Sequence, residues 1–217
     1  MGQIFHASTN TIAKVTIYAA VLFLALCGWV CSAVNRSSYN TGETVVRAQP
    51  VQFSHEHHVN GLGLDCRFCH STVETAAFAG MPPTETCYGC HKLIWADSPE
   101  LLPVRESART GAPIAWSRVY DLPDFVYFNH SIHLAKGVGC GSCHGDVARM
   151  QLLHQSVSLH MEWCLSCHRD PGPSLRPGDA LFDTAPRAPD PVAGASLAAH
   201  YQVRDAFTLT NCSTCHR

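Results

Sequence analysis

Between Lys14 and Arg36 the chain carries no charge, and Val15–Val34, VTIYAAVLFLALCGWVCSAV, is apolar almost throughout. Twenty such residues match the roughly 20 that a helix needs to cross the hydrocarbon core of a bilayer. The apolar region of a cleaved signal peptide is shorter, about 7–15 residues, so the pattern predicts a retained signal anchor. Beyond Arg36 this pattern ends. The alternation in Pro113–Pro123, PIAWSRVYDLP, predicts one extended segment.

Cysteine and histidine change the picture. The 217 residues contain 12 cysteines and 14 histidines, and ten of the cysteines fall in five C-x-x-C-H pentads. These are Cys66, Cys69 and His70; Cys87, Cys90 and His91; Cys140, Cys143 and His144; Cys164, Cys167 and His168; and Cys212, Cys215 and His216. C-x-x-C-H is the attachment signature of c-type haem, and about 0.04 matches would arise by chance from this composition. Each thiol adds across one vinyl group, and the adjacent histidine becomes the proximal iron ligand. A zinc site built from C-x-x-C pairs does not require a histidine after every second cysteine. A thioredoxin-like dithiol would occur once. Five covalently bound haem c groups are therefore expected.

Haem is joined to such motifs outside the bacterial cytoplasmic membrane, which orients the chain where the single flanking charges, Lys14 and Arg36, do not. The expected organisation is a cytoplasmic tail over 1–14, a transmembrane anchor over 15–34 and a periplasmic pentahaem domain over 35–217. The localisation that follows is single-pass in the bacterial cytoplasmic membrane, with the haem domain on the periplasmic side. Cys27 and Cys31, spaced i, i+4, read as packing residues of the anchor rather than acylation sites. From Arg36 onward 182 residues serve five haems, about 36 each. A mostly coil domain with short helices wrapped around five haems and little sheet is the fold expected of a multihaem cytochrome c, and Pro113–Pro123 would pack over a haem face. Net charge is -2, with no basic patch interleaved with aromatics, which excludes nucleic acid as a partner.

The motifs repeat. Phe53-Ser54-His55-Glu56-His57-His58 stands before Cys66 as Phe128-Asn129-His130-Ser131-Ile132-His133 stands before Cys140, which defines repeats of about 51–92 and 126–169. Six of the 13 prolines lie between Pro171 and Pro191, so 171–199 reads as an extended strap before the fifth motif at 212–216. With five proximal histidines assigned, His55, His58, His130 and His133 are the candidates for four of the sixth ligands, whereas His57 lies on the other side of its turn. Met150, His154, His160, Met161 and His200 compete for the fifth position, since thioether and imidazole both bind haem iron.

The F-x-H-x-x-H plus C-x-x-C-H repeat is similar to class III and c7-type multihaem cytochromes. With the run Leu122-Pro123-Asp124-Phe125-Val126-Tyr127-Phe128-Asn129-His130, the approach Met161-Glu162-Trp163-Cys164, five motifs and one anchor helix, the chain resembles the pentahaem subunit of bacterial alternative complex III. The resemblance implies an electron-transfer subunit, itself without catalytic residues, in a respiratory or photosynthetic complex. Such a complex oxidises menaquinol or another quinol and reduces a periplasmic carrier or an attached oxidase. Implied partners are an iron-sulfur subunit, multi-spanning quinol-binding membrane subunits and a monohaem cytochrome c. The family has methionines where Met150 and Met161 stand, which favours Met150 as the fifth ligand. The rival reading is a self-contained quinol dehydrogenase that feeds a periplasmic reductase. Such proteins set their first motif near the membrane helix, whereas here the whole stretch Asn35–Asp65 separates Val34 from Cys66. A multihaem reductase would need an open iron with acid-base groups beside it.

Each iron has one axial position left after its proximal histidine, so His130 and His133 cannot serve the same haem. Side chains three apart on a helical turn point the same way with Cβ atoms about 5–6 Å apart, so two haems must meet one turn of backbone. His55 and His58 repeat the device, which gives two close haem pairs with the remaining haem expected to bridge them. Alanine at His130 and at His133 should each convert one haem to high spin, and the double variant two; a double variant that loses a single low-spin centre in the EPR spectrum would refute the spacing argument.

Overall fold

The structure, a computed structural model, describes residues 4–216, so Met1–Gln3 of the expected tail and Arg217 lie outside the described residues. The chain divides into two units, up to Gly42 and from Glu43 onward.

The first unit is helix α1, Thr9–Asn35, and the short helix α2, Ser38–Thr41. α1 starts ahead of Val15 and includes Lys14, since no helix-breaking residue intervenes and the Thr16 hydroxyl donates back to the Ile12 carbonyl at 2.5 Å. Its 27 residues span about 40 Å at 1.5 Å per residue, enough for a membrane core of about 30 Å. Apart from the half-buried Cys27 its side chains are exposed on every face, so α1 is long and apolar enough to cross a membrane. The Ser37 hydroxyl donates to the Val34 carbonyl (2.6 Å) and turns the chain into α2, which stops at Gly42, φ 71°.

The second unit is built from short helices. α3 (Cys66–Cys69), α4 (Thr84–His91), α7 (Gly141–His144), α8 (Met161–Arg169) and α11 (Cys212–Cys215) carry the five pentads, while α5 (Leu102–Thr110), α6 (His130–Ala135), α9 (Pro191–His200) and α10 (Ala206–Leu209) stand between them. A single helical turn suffices for each pentad because it sets cysteines three apart on one side. Short polar side chains start two of these turns: Asp65 accepts the Arg67 N–H (2.8 Å) and Asn211 the Ser213 N–H (3.0 Å). Among the described residues there is no sheet, only the isolated bridges Glu43–Gln155, Val46–His154 and Val138–Leu175.

The aliphatic interior is small. Val51, Leu101 and Val104 form a cluster of buried residues, against which Cys87, Ile114 and Trp116 pack. Ile114 and Trp116 belong to the segment Pro113–Pro123 read as extended. It forms no strand; Gln49 stands in for a neighbouring one, accepting the Ser117 N–H and donating to the Ser117 carbonyl, both at 2.9 Å.

The proline-rich stretch 171–199 departs from the extended strap expected of it. It contains two 3-10 turns, Gly172–Ser174 and Gly178–Ala180, and most of α9. Pro191 occupies the start of α9, where its missing N–H costs nothing, and Asp190 accepts the N–H groups of Val192 and Ala193 at 3.0 and 3.1 Å. The stretch folds back on its own chain. The Gly172 backbone comes so near α9 that a Cβ on Gly194 would sit 2.9 Å from its carbonyl oxygen. The Arg176 N–H donates to the Gly137 carbonyl (2.8 Å) and the Cys140 N–H to that of Leu181 (3.0 Å). Gly137 has φ 81°, and the Tyr201 ring lies where its Cβ would be, so no other residue fits there without movement.

Candidate haem centres

The two F-x-H-x-x-H turns have the same side-chain geometry. Phe53 meets His55 edge-on (4.9 Å, 89°) and stacks on His58 (4.3 Å, 26°); Phe128 meets His130 edge-on (4.7 Å, 89°) and stacks on His133 (4.5 Å, 27°). In each turn the second histidine donates its Nδ1 proton to the carbonyl four residues back, His58 to Ser54 (2.8 Å) and His133 to Asn129 (2.7 Å). Asn129 also caps α6 through its side chain, which accepts the Ile132 N–H at 3.3 Å.

Three histidines from these turns face proximal histidines of the pentads. His58 and His91 have ring centroids 6.2 Å apart, His130 and His144 6.3 Å, and His133 and His168 6.2 Å. Two imidazoles on opposite sides of one metal ion need roughly 6 Å, from a bond of about 2.0–2.1 Å and half a ring on each side. The planes of His130 and His144 are nearly parallel at 13°, against 40° for His133 and His168 and 60° for His58 and His91.

The donor set also fits iron. Seven of the rings give their Nδ1 proton to backbone carbonyls: His58 and His133 as above, His70 to Gly80 (2.8 Å), His91 to Ile94 (3.0 Å), His130 to Ala77 (2.8 Å), His168 to Leu209 (2.9 Å) and His216 to Phe125 (3.1 Å). A carbonyl can only accept, so Nε2 of each neutral ring keeps a lone pair free for a metal. Among the described residues His144 makes no such bond, and His55 has a buried Nδ1 that no protein group satisfies. Burial, with His70 and then His58 nearby, lowers its pKa to about 4. His144 is likewise held at about 4, by burial first and then by His130, His70 and His55. Both rings are therefore neutral, as ligation requires.

Burial raises the thiols of Cys140 and Cys143 as well. Cys143 is pushed up to about 12, with Cys167, Cys164 and Cys140 adding to the effect, and Cys140 to about 11, with Cys66 and Asp65 adding.

Of the competitors for the fifth position, Met150 accepts the Glu56 N–H at its carbonyl (3.0 Å), and its methyl lies 3.4 Å from where a Cβ on Gly145 would be. His154 sits in the bridge with Val46, His160 precedes α8, Met161 is exposed on its first turn, and His200 ends α9 with its ring edge on Tyr201. His216 lies against Phe125 (5.9 Å), and among the described residues no hydrogen bond or ring contact joins it to any of these five. His57 meets His58 edge-on (5.3 Å, 84°) and stacks on Trp95 (6.1 Å, 16°).

One further residue acts on the site. Tyr120 lies against the His144 ring at 4.4 Å, while its hydroxyl accepts the Ser156 N–H (2.9 Å) and donates to the Cys143 carbonyl (3.3 Å). The Ser156 hydroxyl donates in turn to the His144 carbonyl at 2.9 Å. Tyr120 belongs to the apolar alternation of Pro113–Pro123, which marked it as packing and gave no sign of its target. The carbonyl partners Gly80, Ala77, Leu209 and Phe125 had no sequence signal.

Residues 126–217 match the family model for cytochrome c7 and related cytochrome c. The matched span includes the last three pentads and the second ligand turn. The chain is also similar to the multiheme cytochrome c subunit of menaquinone reductase from Nitratidesulfovibrio vulgaris, 35% identical over 125 residues, 57% of this chain and 53% of that protein. It thus spans about half the length of this curated relative.

An aromatic contact of this kind contributes about 0.5–1.5 kcal/mol, enough to fix a ligand plane. Leucine at Tyr120 should change the low-spin EPR signal and midpoint potential of one centre, and phenylalanine, which keeps the ring, should restore most of both. Centres all unchanged in Tyr120→Leu would reduce Tyr120 to packing.

Proposed function

We propose that the chain is a membrane-anchored pentahaem c-type cytochrome that conducts electrons inside a quinone-linked complex of alternative complex III type. The observation that carries this reading is the set of three imidazole pairs 6.2–6.3 Å apart, supplied by two copies of one ligand turn. Bound haem supplies a one-electron iron couple, and the protein's part is to hold it. The ten motif cysteines attach the groups; His70, His91, His144, His168 and His216 are the proximal ligands, and His55, His58, His130 and His133 the distal ones. His55 is assigned opposite His70, because His91, His144 and His168 already face His58, His130 and His133, and His216 lies against Phe125. Met150 is assigned the remaining position on the resemblance alone, since its contacts are with Glu56 and Gly145. α1 anchors the chain in the bacterial cytoplasmic membrane, with the haem domain on the periplasmic side. An iron-sulfur subunit, quinol-binding membrane subunits and a monohaem cytochrome c complete the assembly. The chain is assigned no catalytic residue.

The similarity to a menaquinone reductase subunit favours a second reading, in which the same array carries electrons toward the quinone. Anaerobic mixing of the purified complex separates the two. Haem reduction by menaquinol, followed by reoxidation by a periplasmic carrier, is the expected outcome; haems that menaquinol leaves oxidised, yet that pass electrons from a periplasmic donor to menaquinone, would reverse the direction. Haem reduction by quinol in the isolated chain would favour the self-contained dehydrogenase.

Met150 has its own test. Histidine in its place should keep one centre low-spin and lower its potential, because thioether ligation favours ferrous iron. An unaltered set of five potentials would exclude Met150.

A further inference from the structure

We infer that the five attachment motifs are ordered in space as Cys87–His91, Cys66–His70, Cys140–His144, Cys164–His168 and Cys212–His216, so that the second motif of the chain and the fifth form the two ends of the array. The inference rests on the pentahaem reading above. It departs from the chain order and from the expectation that the last haem bridges the two pairs.

Four joints set the order. The first is the turn at Phe53: His58 faces His91, and His55, three residues earlier, is the histidine assigned to His70 above. The second joins the two repeats. The Arg67 guanidinium, between Cys66 and Cys69, lies 4.5 Å from the ring centre of Phe182, and the carbonyl of the preceding Leu181 accepts the Cys140 N–H at 3.0 Å. His130 reinforces this joint, since both its backbone N–H and its Nδ1 donate to Ala77, just beyond the first motif. The strap, not the fifth haem motif, connects the repeats.

The third joint is the turn at Phe128, where His130 faces His144 and His133 faces His168. Ser174 adds to it: its carbonyl accepts the Ser142 hydroxyl (3.2 Å), and its own hydroxyl lies 3.6 Å from Cys167 Sγ. The fourth is the bond from His168 Nδ1 to Leu209 in α10, two residues ahead of the cap of the fifth motif.

Exposure gives an independent check. In a linear array the end members keep the most solvent contact. Among the ten motif cysteines only Cys90 and Cys212 are exposed, one in each proposed end motif. Electron donor and acceptor must therefore approach at α4 and α11, and the first, third and fourth motifs relay between them.

The test uses the full haem-loaded chain. Mass spectrometry first counts the haems; fewer than five would overturn the pentahaem reading itself, separately from the order. His58→Met and His130→Met then each raise the potential of one centre, and EPR-monitored titration reads which others shift with it. A change at His58 should shift one neighbour, and a change at His130 two. Two shifted neighbours for His58→Met, or one for His130→Met, would overturn the order. Should either variant lose its haem, cryo-electron microscopy of the native complex reads the same quantity directly: the iron held by His91 should have a single near neighbour, the iron held by His70, and an iron of His91 lying between two others would refute the inference.

Discussion

An imidazole that has given its Nδ1 proton to a carbonyl has one lone pair left, and its ring can no longer rotate. That bond, repeated at seven histidines, is what the rest of the second unit depends on. Its acceptors are backbone atoms from Ser54, Gly80, Ile94, Ala77, Asn129, Leu209 and Phe125, so the loops between helices are as much part of the site as the histidines. A loop that must present a carbonyl at a fixed place cannot wander. This explains how a unit with few buried aliphatic residues and no sheet among its described residues can still have defined connections.

The second constraint is that of two histidines on one turn. Because His130 and His133 face different proximal histidines, α7 and α8 are both drawn to the same helix, α6, and the hydrogen bonds from Gly139 and Ser142 to Ser174 then close the space between them. The strap follows from this. Leaving the fourth motif, it passes over the third before it reaches the fifth, and its prolines suit a path of tight turns, with one more proline at the start of α9.

Local pattern was legible in the sequence and long-range contact was not. The pentads and the F-x-H-x-x-H turns announce themselves because the proposed attachment and ligation would require fixed residue types at fixed short spacing. The spacing of His130 and His133 even implied two partners, and the structure aims them at His144 and His168. What spacing cannot carry is a contact between segments far apart in the chain. His130 to Ala77, His216 to Phe125 and Arg67 to Phe182 each join distant segments through a carbonyl or a ring face, groups that many residue types could supply. The helix α9 escapes notice for a different reason: proline-rich composition argues against regular structure, although Asp190-Pro191 is a helix start.

A small mismatch between the repeats shows how strongly the ligand geometry is imposed. Phe53 and Cys66 are separated by positions 54–65, Phe128 and Cys140 by positions 129–139, so the first repeat has one extra residue between its ligand turn and its motif. The second repeat makes its ligand turn as the α-helix α6, and the first makes it as a π-helix, Glu56–Gly61. A π-turn closes its hydrogen bond one residue later than an α-turn, as in the bond from the Leu62 N–H to the His57 carbonyl (3.0 Å), and so absorbs one inserted residue without unwinding. The ring contacts of Phe53 and Phe128 with their histidines nevertheless match, at 4.9 and 4.7 Å edge-on and 4.3 and 4.5 Å stacked. Two different backbones therefore hold one side-chain arrangement, which locates the constraint in the orientation of the imidazoles and leaves the helix type to accommodate it.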